Sequence, residues 1–394
     1  MGEISLLLGA GFSVNQGYPT GTELNKKITS LLPDDFFICS DGTLLFKNRS
    51  EEDPCSYDSD FIYKYFITDL IKFYINNINS TFHYEEFYDY YNEILRHERK
   101  DENINEFCND FRKQYNTETN NTNLLSKTNL FFNQILFNFL VDKNGKHFYD
   151  NVHYLKPEFP GYTGFLNSIE RLGFNHIVHI HTLNHDIFFE TFKNSSWLNG
   201  DLSNGYEELG SPFYGKIKDC GKIRLPYFTN KYYGNYRLYK LHGSIDQFPF
   251  HTRDSGIIGY IKTKYGIGTT QLYKEVKDEN GNYKYINDWI NYHSDFLSGT
   301  TSKIRRYGEP FYYIKVFSHF KKNLINSEKL ICIGYGCGDS EINNIIESNF
   351  NFKEKTIFIV DPYPNEQTDK FITRFGAKLI MKSPEKIEIS DFNN

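Results

Sequence analysis

The chain has 394 residues, 44 of them Lys or Arg and 50 Asp or Glu, for a formal net charge of −6. That balance excludes a general surface for DNA or anionic membrane and leaves room only for a local basic patch. The length suffices for a large core, and the 36 Phe and 31 Tyr are a bias of composition that leaves single aromatics with little weight.

Residues 4–17 read ISLLLGAGFSVNQG. Positions 4–8 predict a short buried strand that runs into Gly9-Ala10-Gly11, then Phe12, Ser13 and Gly17. Leu24, Ile28 and Leu31, at i, i+4 and i+7, predict a helix after it. Strand, glycine turn and helix is the arrangement that sets backbone N–H groups around a phosphate, with Gly9 and Gly11 letting a ligand approach the main chain. An ordinary strand-to-helix turn fits the same residues, because the full dinucleotide fingerprint is absent. Residues 33–57 read as loop. Beyond them Ile62, Phe66, Leu70 and Phe73 keep one helical face apolar, and helical patterns recur at 85–99, 104–115 and 124–141. Residues 58–145 are therefore expected to be an all-helical insertion, of the kind that serves as a cap, a partner surface or an oligomer interface, the last two being favoured.

The α/β pattern resumes at Tyr162. Phe165, Leu166, Ile169 and Leu172 predict a helix ended by Gly173, and 177–182 a strand followed by Asn184, His185, Asp186 and another helical start. Residues 195–300 read as a loop- and β-rich segment, with a hairpin turn at 279–282. Inside it, 237–241 predicts a strand ending at His242-Gly243-Ser244. Phe317, Phe320 and Leu324 line a helix. Residues 330–333 predict a strand ending in Gly334-Tyr335-Gly336-Cys337-Gly338-Asp339, where Asp339 or Ser340 caps the next helix. A strand at 356–360 ends at Asp361, and a last one spans 378–381. About six apolar strands separated by helices predict an α/β fold: a Rossmann-like, doubly wound, mostly parallel sheet, with the whole chain as one domain around the insertion.

Ligands in such sheets bind beyond the carboxyl ends of the strands, where the clusters 9–13, 184–186, His242, 334–339 and Asp361 all fall. Each has a plainer reading: a hydrogen-bonded structural His, a turn and helix cap at Asn184 and Asp186, a simple chain turn at 334–338. His179 and His181 share one face of a strand, but no Cys or carboxylate set completes a metal site, so no metal is expected. The six cysteines, at 39, 55, 108, 220, 332 and 337, form no Cys-x-x-Cys pair, which indicates neither structural zinc nor a disulfide framework. No signal peptide is visible, and the most apolar internal run, 130–141, is too short to cross a bilayer. A soluble, cytoplasmic protein is expected.

Taken in order, GAGFSVNQGYP, TLNHD, KLHGSID and IGYGCGD resemble the sirtuin-like superfamily, nearest to the sirtuin-like NAD-hydrolase family of bacterial anti-phage defence systems. The resemblance spans nearly the whole chain outside the helical block. It implies that Gly9, Ala10, Gly11, Phe12 and Ser13 hold the pyrophosphate of NAD+. It implies that Asn184 and Asp186 contact the nicotinamide-side ribose and carboxamide, and that His242 is the catalytic base, with Asn184 its catalytic partner. Gly334, Gly336 and Asp361 complete the expected NAD+ contacts, Asp361 at the adenosine-ribose hydroxyls. A neutral imidazole suits activation of a ribose hydroxyl or a water. Protein deacetylases of the superfamily carry two Cys-x-x-Cys pairs and an Asp-Phe-Arg element; this chain has neither, with Tyr18-Pro19-Thr20-Gly21-Thr22 at the second place. The implied reaction is therefore hydrolysis of NAD+ to nicotinamide and ADP-ribose, by an effector of antiviral abortive infection. An NAD-dependent deacylase or ADP-ribosyl transferase, and a non-catalytic subunit sensing NAD or ADP-ribose, stay open. Implied partners are further copies of the chain and a HerA-type ATPase or other defence protein; neither membrane nor direct nucleic-acid binding is expected.

Overall fold

A computed structural model describes residues 1–39, 44–47, 61–95, 97–141, 159–217, 221–252, 256–263, 272–287 and 311–393. The chain opens with strand β1 (Gly2–Leu8), then two single 3-10 turns (Ala10–Phe12 and Val14–Gln16), and then helix α1 (Gly21–Thr29). The helix expected from Leu24 and Ile28 is α1, which begins where Thr20 and Glu23 close a capping box. A hairpin of β2 (Phe36–Ile38) and β3 (Leu44–Phe46) occupies part of the expected loop 33–57, the rest of which lies outside the described residues. Four helices follow: α2 (Phe61–Asn77), α3 (Tyr84–Leu95), α4 (Glu102–Gln114) and α5 (Asn121–Phe139). They share an aromatic core of their own, in which Phe66, Phe87, Tyr91, Phe131 and Phe132 are wholly buried.

Helix α6 (Thr163–Asn175) leads into β4 (His176–Thr182). Gly173 does not end that helix. It lies inside it because a Cβ there would fall 2.2 Å from the Tyr236 hydroxyl. The helical start expected after Asp186 is a 3-10 segment, Phe189–Asn194. Short strands β5 (Leu202–Ser203), β6 (Tyr206–Glu207), β7 (Phe213–Ile217), β8 (Gly221–Arg224) and β9 (Tyr227–Phe228) precede β10 (Tyr236–Lys240). After it come β11 (Gln247–Thr252), β12 (Gly256–Lys262), β13 (Leu272–Lys277) and β14 (Tyr283–Ile286). The chain then alternates regularly: α7 (Tyr313–Asn326), β15 (Lys329–Ile333), α8 (Ser340–Asn349), β16 (Thr356–Val360), α9 (Glu366–Phe375) and β17 (Lys378–Ile380).

The central sheet has seven strands in the order β17-β16-β15-β1-β4-β10-β5, and its pairs are parallel. Ranked by place in the chain, its six longer strands read 3-2-1-4-5-6 across the sheet, the order of dinucleotide-binding doubly wound folds. The seventh, β5, is two residues long and had no readable pattern. Both faces are covered, and most of the strand positions are apolar, with His179 and His181 of β4 among the buried exceptions. Ile4, Leu6 and Leu8 pack with Phe165, Leu166 and Ile169 of α6, while Leu7 packs with Val316 and Phe320 of α7, Ile342 of α8 and Phe371 of α9. Two antiparallel sheets, β11-β12-β9-β6 and β14-β13-β7-β8, flank it.

His179 and His181 do lie on one face, ring centroids 6.4 Å apart, but their partners are Glu3, Tyr239 and Asn323. Cys108, Cys332 and Cys337 are buried free thiols. Cys39 is disulfide-bonded, which the scattered spacing did not predict. Among the described residues no helix is long and apolar enough to cross a membrane.

Candidate active site at the carboxyl edge of the sheet

Strands β1 and β15 are neighbours whose connections leave on opposite sides, and their exit loops interlock. Gly9 N donates to Ile333 O (3.1 Å) and Gly11 N to Gly334 O (3.0 Å). A Cβ on Gly9 would stand 2.6 Å from Gly334 O, one on Gly11 2.9 Å from Gly334 Cα, and one on Gly334 2.2 Å from Phe12 N. Gly334 also has φ +59°. These glycines are therefore required by the approach of two backbones to each other. The sequence argument assigned that space to a ligand; the partner loop fills it.

Beside the interlock lies a cavity of about 370 Å³. The tips of four strands reach it: Gly9 and Ala10 after β1, Asn184, His185 and Asp186 after β4, His242 after β10, and Tyr335, Gly336, Gly338 and Asp339 after β15. Pro19, Gly21 and Leu24 bring the amino end of α1 to it, and Tyr84, Glu85 and Leu140 of the helical block form a wall. Gly336, unlike Gly334, has open space where a Cβ would point. Four acids, Glu85, Asp186, Asp339 and Glu341, border the cavity, and no Lys or Arg does so among the described residues.

Asn184 donates from Nδ2 to Gly9 O (3.0 Å) and to Ser13 Oγ (3.1 Å). Both amide protons thus tie the β4 loop to the β1 loop, and Oδ1 is the atom left for a ligand. Asp186 accepts from Phe188 N at 3.0 Å. Burial pushes its carboxyl above the usual range, opposed by Lys240, the Phe188 amide and the Ser13 hydroxyl. Behind the two loops sits a buried charge cluster. Lys240 donates to the Asp186 carbonyl and pairs with Glu190 at 3.6 Å, and Lys262 pairs with Glu190 at 3.4 Å and Asp246 at 2.9 Å. Two lysines face two carboxylates, the condition under which buried charge is tolerable.

His242 is buried at a turn where Gly243 has φ +77°. The loop is tied to its neighbour by Ile245 N donating to His185 O (3.0 Å). Nε2 of His242 lies 3.8 Å from Oδ2 of Asp339. The other oxygen of Asp339 caps α8, accepting from Glu341 N and Ile342 N at 3.1 Å each. The imidazole therefore faces a carboxylate whose position is set by a helix terminus.

No protein-family profile matches this chain, and no curated protein does. Solved structures of Sir2 proteins align along nearly its whole length. One comes from a study of the mechanism and regulation of Sir2 enzymes, with 12% identity, 97% of this chain and 88% of that one covered, and a TM-score of 0.37. A Sir2 homologue in complex with NAD aligns at 10% identity, 98% and 87% coverage and TM-score 0.38. A Sir2 homologue mutant with ADP-ribose aligns at 10% identity, 98% and 89% coverage and TM-score 0.37. Likeness at this level carries no argument about ligand or activity.

Of the residues singled out in the sequence, Gly9, Ala10, Asn184, Asp186, His242 and Gly336 line the cavity; Gly11, Phe12, Ser13, Gly334 and Asp361 do not. Gly11 and Gly334 are consumed by the interlock. The Phe12 ring lies in an aromatic cluster, 4.9 Å from Phe165 and 5.3 Å from Tyr162. Ser13 is buried behind Asn184 and Asp186. Asp361 sits one strand further out, its carboxylate accepting from Tyr363 N (2.9 Å). His185 and Asp339 stood within the polar clusters read from sequence, but their roles did not. Tyr84, Glu85 and Leu140 carried no signal, because only tertiary packing brings the helical block over the strand tips.

Proposed function

We propose that this cavity binds NAD+ and hydrolyses its nicotinamide–ribose bond. The observation that carries the reading is the convergence of Asn184 and Asp186 from the loop after β4, and His242 from the loop after β10, on one cavity beside the β1–β15 switch point. Such crevices are where doubly wound sheets bind nucleotides. The acidic lining suits the pyridinium cation, and the amino end of α1 at Gly21 offers the positive end of a helix to the phosphates. In the reaction the C1′–N bond breaks and its electron pair neutralises the departing pyridine ring. A water oxygen bonds to C1′ and gives its proton to His242, while the carboxylate of Asp339 stabilises the imidazolium so formed. The amide oxygen of Asn184 positions the water or the ribose.

Purified protein incubated with NAD+ should release nicotinamide and ADP-ribose. His242→Ala should slow this by about 10²–10⁴-fold, the usual worth of a general base. Turnover that survives in His242→Ala, or stoichiometric NAD+ binding without nicotinamide release, would falsify the reading. We further propose that the enzyme is a sirtuin-like effector of antiviral defence in the bacterial cytoplasm, depleting NAD+ under control of oligomerisation or a partner protein. The helical wall of the cavity supports that control. Loss of cellular NAD+ on phage infection, abolished by His242→Ala, is the result expected.

A further inference from the structure

We propose that the outer face of the β14-β13-β7-β8 sheet binds single-stranded nucleic acid. Cross-strand partners share a face in an antiparallel sheet. The register opposes Tyr214 to Arg224 and Tyr273, Lys216 to Lys222, Glu275 to Tyr285, and Lys277 to Tyr283. Among the described residues one face therefore carries four cations (Lys216, Lys222, Arg224, Lys277), a single acid and four tyrosines, of which Tyr214 is buried and Tyr283 and Tyr285 are exposed. The side-chain contacts agree. Lys222 Nζ lies 3.8 Å from the Tyr285 ring centroid and 4.6 Å from that of Tyr273, and the Tyr214 and Tyr285 rings are 5.2 Å apart. Glu275 and Arg224 meet at the Tyr214 hydroxyl, at 3.5 and 3.0 Å, which leaves three lysines with no other acid on the same face among the described residues. Asp278 and Glu279 lie only in the turn at one end.

The opposite face supplies Phe213 and Leu272 to a core with Phe248, Phe250 and Ile261, so the basic face is the solvent side. Tyr283 is 63% exposed and Tyr285 42%. Strands about 4.8 Å apart make a platform long enough for about three nucleotides. Lysines at this spacing meet phosphates, and exposed tyrosine rings stack on unpaired bases, the combination by which proteins hold single strands. The chain as a whole is formally −6, so the basic face is a local feature that composition conceals.

The test is fluorescence anisotropy of the full chain with a labelled oligothymidylate of about 12 nucleotides. Saturable binding is expected, with log K falling against log salt at a slope of about −2 to −3, from three or four phosphates neutralised. Tyr285→Ala should weaken binding by about 5- to 100-fold while Tyr285→Phe restores it, since stacking needs the ring and not the hydroxyl. Lys222→Gln with Lys277→Gln should flatten the salt slope by about 1.4. Unchanged thermal melts in these surface variants separate lost binding from lost fold. The proposal is overturned if the oligonucleotide does not bind, if it binds the variants as well as the parent, or if duplex DNA binds as tightly. Capture of a poly-glutamate peptide or anionic vesicles in its place overturns it too, and assigns the face to an acidic protein or a membrane.

Discussion

Asp339 uses one carboxylate oxygen to cap α8 and the other to face His242. The two roles separate by substitution. Asn caps a helix about as well as Asp, so Asp339→Asn should leave the thermal midpoint nearly unchanged yet lower nicotinamide release, whereas Asp339→Ala should also cost about 1 kcal/mol of stability. Equal losses of stability in both variants, with turnover intact, would show the cap to be the whole role. A second residue-scale expectation concerns the histidines under the sheet. Burial holds His179 down to about 4, against its hydrogen bond to the Glu3 carboxylate, and holds His181 well below the usual 6.5. The folded chain keeps both neutral, while the unfolded chain takes up protons near 6.5. The stability this confers is whole above that pH and is lost as pH falls from 6.5 towards 4. Urea midpoints should therefore drop more steeply over that window in the parent than in His179→Gln.

Among the elements, the six longer parallel strands were legible because most are apolar runs closed by glycine or a polar residue. The long helices were legible because a 3.6-residue period is hard to mimic by chance. What escaped was short or set from a distance. β5 is held by two residues beside β10, and the two 3-10 turns between the glycine turn and α1 have no periodic pattern to announce them. Gly173 reads as a stop signal yet serves the ring of Tyr236. The site showed the same division: Asn184 and His242 stood out by residue type and position, while the wall supplied by Tyr84 and Leu140 has no local signature. The interlock makes its own demand. Gly334→Ala adds a Cβ 2.2 Å from a backbone nitrogen at a positive φ, so neither side can yield. It should destabilise the chain by about 3 kcal/mol or more in denaturant melts, well beyond a typical surface change.

At the scale of the molecule, the helical block and the sheet meet through a small apolar seam of Leu24, Phe137, Leu140, Ile187 and Ile245. Ile187 and Ile245 belong to the loops that carry Asp186 and His242, so a shift of α5 is transmitted to both. Leu140→Ala should cost about 2–4 kcal/mol and lower turnover at saturating NAD+, whereas a similar truncation at Phe111, deep in the helical core, should cost stability with turnover per folded molecule unchanged. Comparable losses of turnover in both would show that the seam has no special link to the loops. The lysine-bearing sheet has a practical consequence as well. A formally acidic protein ought to pass through a sulfonate resin at neutral pH, yet a dense one-sided cluster of cations lets the molecule orient and adhere by that side alone. Retention on such a column, and flow-through once Lys222 and Lys277 are neutralised, would reveal in a single chromatogram how unevenly this chain distributes its charge.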